Sequence, residues 1–104
     1  MTKEDNEGHI EALRAKSREE RARVAALSGK LSGDLKQLLE PASSQLDDVD
    51  RFFLGAETLS QPRTPQDLAW WLSNADVVFA RAVASREYVE GLAAKFGPDA
   101  RVIA

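Results

Sequence analysis

Apolar residues recur at helical spacing along the first half of this chain, in steps of three or four residues or sums of the two. Because this spacing places them on one side of an α-helix, it predicts a long helix that needs a facing helix to cover it. The fold class is therefore predicted to be all-α. The members of this apolar stripe are Ile10, Leu13, Val24, Leu27, Leu31, Leu35, Leu38, Ala42, Leu46, Val49 and Phe53.

Three residues within the stripe oppose a continuous helix: Gly29, Gly33 and Pro41. Each glycine costs a helix about 1 kcal/mol relative to alanine, and a proline kinks a helix unless it lies in the first turn. The stripe nevertheless keeps its phase across all three. We therefore predict one helix over residues 9–54, kinked near residue 41. The alternative is a three-helix bundle with a turn at residues 28–33.

A second helix is predicted over residues 65–96. Thr64 has the side chain of an N-cap and Pro65 suits the first helical position, while Gly97 would end the helix. Gly55 is the expected C-cap of the first helix. The two helices would form an antiparallel helical hairpin, or coiled coil.

The hairpin makes up a single domain over residues 9–96, in which residues 55–64 are the loop. Residues 1–8 are polar and are expected to form a flexible N-terminal tail. Residues 97–104 form a C-terminal tail that follows the glycine and proline at its start.

Arg86 lies in the middle of the apolar side of the second helix. Antiparallel pairing with the first helix would place it opposite Asp34. Because a buried arginine needs a carboxylate, we predict a structural ion pair between Arg86 and Asp34. A binding residue that stays accessible at a gap in the core is the alternative for Arg86.

Trp70, Val77, Arg81 and Tyr88 lie on the opposite side of the second helix, which a simple hairpin leaves exposed. Tryptophan, tyrosine and arginine together are typical of protein-binding surfaces. The second helix is also too short to cover the start of the first, so Ile10 and Leu13 are expected to be uncovered. We predict that all six residues bind a partner and that dimerisation covers Ile10 and Leu13.

Residues 14–23 contain five basic and two acidic residues. Ser17 and Glu20 stand where the apolar stripe would otherwise continue. We therefore expect this stretch to be a solvated helix with ion pairs between neighbouring turns, or alternatively a docking surface for an acidic partner.

Size and charge limit the possible functions. The 104 residues suffice for one modest hydrophobic core. With 14 basic and 17 acidic residues, the chain lacks the excess of positive charge that is typical of nucleic-acid-binding proteins. No apolar run approaches the roughly 18 residues of a membrane span, and the acidic start does not look like a signal peptide. We expect a cytoplasmic protein without nucleic acid or membrane partners.

The residue types also argue against catalysis. The chain has no cysteine, its only histidine is His9, and no phosphate-binding glycine loop occurs. Asp47, Asp48 and Asp50 are the densest acidic cluster, but on a helix they cannot converge on one ion. We therefore expect no enzyme activity, catalytic residue, metal site or cofactor.

The sequence favours a non-enzymatic protein–protein interaction module, a homodimeric coiled-coil adaptor or small regulatory protein. A ligand-sensing regulator is the alternative, with a small anionic effector at Arg81, Arg86 or the arginines of residues 14–23. In length, acidity, lack of cysteine and its predicted hairpin, the chain also resembles the small WXG100-type secreted proteins. Those carry Trp-x-Gly in the interhelical turn, whereas Trp70 and Trp71 lie within the second helix.

Overall fold

The computed structural model describes residues 3–58 and 64–101, which form four helices and no strand. The prediction of an all-α fold is confirmed. In chain order the helices are α1 (Lys3–Lys30), α2 (Asp34–Leu38), α3 (Glu40–Thr58) and α4 (Pro65–Phe96).

The three long helices lie side by side, with α3 antiparallel to both α1 and α4. His9 and Glu20 of α1 contact Asp76 and Arg86 of α4 in the same order, so these two helices are parallel. The contacts between α1 and α3 run in the opposite order: Arg14 lies over the ring of Phe53, whereas Arg21, further along α1, pairs with the earlier residue Asp47. These two helices are therefore antiparallel. The bundle measures 50 × 22 × 17 Å. Its length is about that of the 32-residue helix α4 alone, at 1.5 Å per residue.

The predicted single helix over residues 9–54 is wrong. Helix α1 ends at Lys30, and the chain turns before α2 begins at Asp34. Gly33 in this turn has φ 60° and ψ −129°, a conformation that is strained for other residues. The turn falls at the end of the 28–33 segment considered for the alternative bundle. It lets α1 fold back on the other helices and bury its apolar residues.

Pro41 lies in the first turn of α3 and does not kink a longer helix. Helices α2 and α3 meet at Leu39, and the N–H of Ala42 donates to the carbonyl of Leu39 at 3.0 Å. Pro41 is the second residue of α3. A missing N–H costs little there, because the first N–H groups of a helix have no intrahelical partner.

Two other predicted boundaries need correction. The expected flexible tail over residues 1–8 is helical from Lys3, and Asn6 is buried. Gly55, the expected C-cap, lies inside α3, which continues to Thr58. Residues 59–63 of the expected loop, and residues 102–104 of the tail, lie outside the described residues.

Helix α4 has the predicted bounds. The hydroxyl of Thr64 accepts a hydrogen bond from the N–H of Asp67 at 3.2 Å, which confirms it as the N-cap. At the other end Gly97 has φ 98°, and its N–H donates to the carbonyl of Ala93 at 2.9 Å. Both ends of the helix therefore carry signals that can be read from the sequence.

The core consists of two clusters stacked along the bundle, and all three long helices contribute to it. The first contains Val24, Leu31, Leu35, Leu39, Ala42, Leu46, Ala82 and Val89; the second contains Leu13, Val49, Phe53 and Ala75. Leu39, and not the predicted Leu38, is the fully buried residue at the α2–α3 junction. The chain after α4 closes one end, where the N–H of Ser32 donates to the carbonyl of Pro98 at 3.2 Å.

Candidate functional site

Helix α4 carries an exposed apolar stripe on the side that faces away from the bundle. We call it the outer α4 face and define it by Trp70, Val77, Arg81, Ala84 and Tyr88, which follow one another at steps of seven, four, three and four. Trp70 is 68% exposed, Val77 51% and Tyr88 63%. The structure therefore places the four predicted binding residues of α4 together on one open surface.

The inner side of α4 fixes the orientation of the outer face. Leu72, Ala75, Ala82 and Val89 are completely buried against the other helices. The indole N–H of Trp71 donates to the carbonyl of Phe52 at 2.9 Å, and the two rings pack edge to face at 5.1 Å. Because consecutive helical residues point about 100° apart, anchoring Trp71 toward α3 turns Trp70 toward solvent.

Ile10 and Leu13 are not the uncovered surface that the hairpin predicted. Leu13 is only 2% exposed and belongs to the core cluster with Phe53 and Ala75, and Ile10 packs against that same cluster. The prediction failed because it left α1 as an overhang. In the bundle α1 lies against α3 and α4, so both residues stabilise the fold.

Arg86 is buried and paired with carboxylates, but Asp34 is not its partner. Its guanidinium donates to Glu20 of α1 and to Glu90 one turn further along α4. The hydrogen bond to Glu20 raises the pKa of Arg86 above its ordinary value, against the opposing effect of burial. The predicted need for a carboxylate was right. The partner was wrong because α1 folds back to supply it.

The basic stretch of residues 14–23 is only partly solvated. Ser17 is 3% exposed and Glu20 1%, so the two polar residues within the apolar stripe face the core and not the solvent. Arg14, Lys16 and Arg18 are exposed, as expected. The unbroken phase of the stripe through Ser17 and Glu20 was the signal that these positions are buried.

Arg21 joins α1 to the acidic cluster of α3. Its guanidinium donates to Asp47 at 2.9 Å and also to Asp50. These carboxylates, Asp47 foremost, raise the pKa of Arg21, and partial burial opposes them. The third member of the cluster, Asp48, pairs with Arg51 at 2.8 Å. Two of the three aspartates of this cluster, although exposed, therefore hold α1 against α3.

A groove of about 510 Å³ runs between α1 and α3 beside these contacts. We call it the α1–α3 groove. It could not be predicted from the sequence, because it exists only when α1 folds back along α3. Its lining residues are Glu11, Arg14, Ser17, Arg18, Arg21, Asp50 and Phe53.

His9 pairs with Asp76 of α4, with 2.7 Å between Nε2 and the carboxylate oxygen. Within residues 3–58 and 64–101, no group of three or more histidine, aspartate or glutamate side chains could hold a metal ion. In the same part of the chain, none of the helices has the length and apolar character required to traverse a bilayer.

No family model, curated protein or solved structure matches the chain. Function is therefore inferred from the residues and contacts described above. Two surfaces stand out in them, the outer α4 face and the α1–α3 groove.

Proposed function

We propose that this chain is a non-enzymatic protein–protein interaction module that forms a homodimer through the outer α4 face. The supporting observation is the clustering of exposed apolar side chains. Four large hydrophobic residues are exposed in the described part of the chain, and three of them, Trp70, Val77 and Tyr88, share this one face. Isolated exposed hydrophobic residues are normal, but a row of them with an arginine has the composition of an interface.

These residues would supply much of the binding free energy. An aromatic side chain buries about 150–250 Å² when it is covered, and Trp, Tyr and Arg dominate measured interface hot spots. The face is also preorganised, since the inner side of α4 is held by the core and by the Arg86 ion pairs. Little conformational entropy would then be lost on association.

A second copy fits this face best when the two α4 helices run antiparallel. In a parallel pair each residue meets its own copy, so Asp67 and Lys95 would each face a like charge, whereas Arg81 meets its own copy in either arrangement. In an antiparallel pair Asp67, near the start of the helix, approaches Lys95 near the end of the other copy. Opposite charges then meet at both ends of the interface.

Side-chain size favours the same arrangement. Trp70 is the bulkiest residue of the outer α4 face, and the exposed Gly91 lies beside this face, three residues beyond Tyr88. Antiparallel packing brings the large indole of each copy close to Gly91 of the other. Large side chains against small ones allow two helices to interdigitate without voids.

Sedimentation equilibrium of the full chain tests this proposal. We expect the wild type to sediment as a dimer at micromolar concentration, and the Trp70→Ala/Tyr88→Ala double variant to sediment as a monomer with unchanged helical circular dichroism. Phe96→Ala is the matched control, because Phe96 is 61% exposed on the same helix but lies about a quarter turn from the face. A monomeric wild type, or a variant that still dimerises, would contradict the proposal.

A further inference from the structure

The turn that separates α1 from α2 is only three residues long, from Leu31 to Gly33. Gly33 has φ 60° and ψ −129°, and a Cβ added there would meet nothing within 4 Å. The backbone conformation, and not close packing, therefore requires a glycine at this position. Short connections of this kind are where chains exchange a packed element between two copies.

The apolar stripe allows the same segment to form a straight helix. Leu27, Leu31 and Leu35 follow one another at steps of four, so they stay on one side if α1 and α2 join into a single helix. In the bundle Leu31 and Leu35 are buried, and Leu27 packs against the same core cluster. These three residues can therefore cover apolar surface with the turn either bent or straight.

The contacts that hold α1 can form within one chain or between two. The ion pairs that link α1 to the other helices are His9–Asp76, Glu20–Arg86, Arg21–Asp47 and Arg21–Asp50. In the core, Leu13 of α1 belongs to one cluster with Phe53 of α3 and Ala75 of α4. Because all these partners lie in α3 and α4, a second copy presents the same ones. An exchanged α1 keeps its contacts, and the main cost is that of association.

We propose that two copies of this chain exchange α1. The turn straightens, α1 and α2 become one helix, and α1 of each copy packs against α3 and α4 of the other. Within one chain the short connection keeps α1 near its own partners at an effective concentration of about millimolar, so exchange competes only when the chain itself is that concentrated. At micromolar concentration the closed bundle predominates. The exchange does not involve the outer α4 face.

Cross-linking between two single-cysteine chains tests the exchange, because the chain itself contains no cysteine. One chain carries Ala12→Cys and the other Asp76→Cys, since both positions line the cleft between α1 and α4. Both chains also carry Trp70→Ala/Tyr88→Ala, which removes dimerisation through the outer α4 face. The two chains are unfolded together in urea, refolded at about millimolar concentration and treated with a short bismaleimide.

We expect a cross-linked pair of chains whose fraction falls when the refolding is carried out at micromolar concentration. Chains refolded separately, then mixed and treated at once, are the control for random collision and should cross-link far less. Equal cross-linking of the jointly and the separately refolded chains would overturn the proposal. Neither result depends on whether the outer α4 face dimerises, because both chains lack its two aromatic side chains.

Two glycine variants test the role of the turn. Gly33→Ala in both chains should lower the refolding concentration needed for a given cross-linked fraction by about tenfold or more, because alanine strains the bent turn and favours the straight helix. Gly29→Ala is the matched control, since Gly29 is helical in the bundle and would stay helical after exchange. It should need the same concentration as the chains with both glycines. Equal effects of the two substitutions would contradict exchange through a straightened turn.

Discussion

Glu20 and Arg86 place two opposite charges inside the bundle, between α1 and α4. Their side chains are only 1% and 10% exposed, so water screens them little. Breaking a buried ion pair by removing one partner leaves an uncompensated charge and costs about 3–5 kcal/mol. We therefore expect Glu20→Gln to lower the free energy of unfolding by about 3 kcal/mol, measured by urea denaturation.

Glu90 supplies the control for that measurement. It pairs with the same guanidinium, but its side chain is 45% exposed. Exposed ion pairs contribute about 0–1 kcal/mol, so Glu90→Gln should cost less than 1 kcal/mol. The double variant Glu20→Leu/Arg86→Met removes both buried charges and should be close to the wild type in stability. Equal losses for Glu20→Gln and Glu90→Gln would show that burial does not decide the strength of this network.

At the scale of the helices, Gly29 and Gly33, the two glycines within the apolar stripe, have opposite roles. Gly29 is helical, and a Cβ added there would meet nothing within 4 Å. Gly33 has a positive φ, which strains any other residue. In thermal unfolding, Gly29→Ala should stabilise the protein by up to about 1 kcal/mol and Gly33→Ala should destabilise it by about 1–3 kcal/mol. The same sign for both would mean that the turn is not fixed at Gly33.

Helix α1 should be the first long helix to open. Its buried face includes the polar residues Asn6, Ser17 and Glu20, whereas the buried residues of α3 as far as Phe53, where the description of its side chains ends, are all apolar. Helices with fewer buried apolar contacts open locally at a lower free energy. We expect the amides of α1 to exchange with deuterium faster than those of the inner parts of α3 and α4. Slower or equal exchange in α1 would contradict this.

The sequence pattern could predict the fold where local interactions determine it, and it failed where tertiary packing does. Helix α4 was predicted with its bounds because Thr64 and Gly97 act locally, through caps. The continuous first helix was wrong because Leu27, Leu31 and Leu35 keep helical phase across a real turn. They do so because both sides of the turn pack into the same core cluster. Phase alone cannot distinguish one helix from two that share a core.

The predicted site shows a similar division. Trp70, Val77, Arg81 and Tyr88 could be assigned to one exposed face, since the period of a single helix determines which residues share a side. Ile10, Leu13 and the partner of Arg86 depend on how α1 packs against the rest of the chain. The α1–α3 groove depends on the same contact. The surroundings and partners of these residues are determined by tertiary packing, which the local sequence pattern does not encode.

For the whole molecule, the proposed dimer couples stability to concentration. Association that involves only the folded state raises the unfolding temperature as the protein concentration increases. We expect the Tm of the wild type to rise over a hundredfold increase in concentration, as measured by calorimetry. The Trp70→Ala/Tyr88→Ala variant should have a Tm that does not depend on concentration, while Phe96→Ala should behave as the wild type. A wild-type Tm that stays constant over this range would mean that the three-helix bundle folds as a monomer and that its outer α4 face serves another purpose.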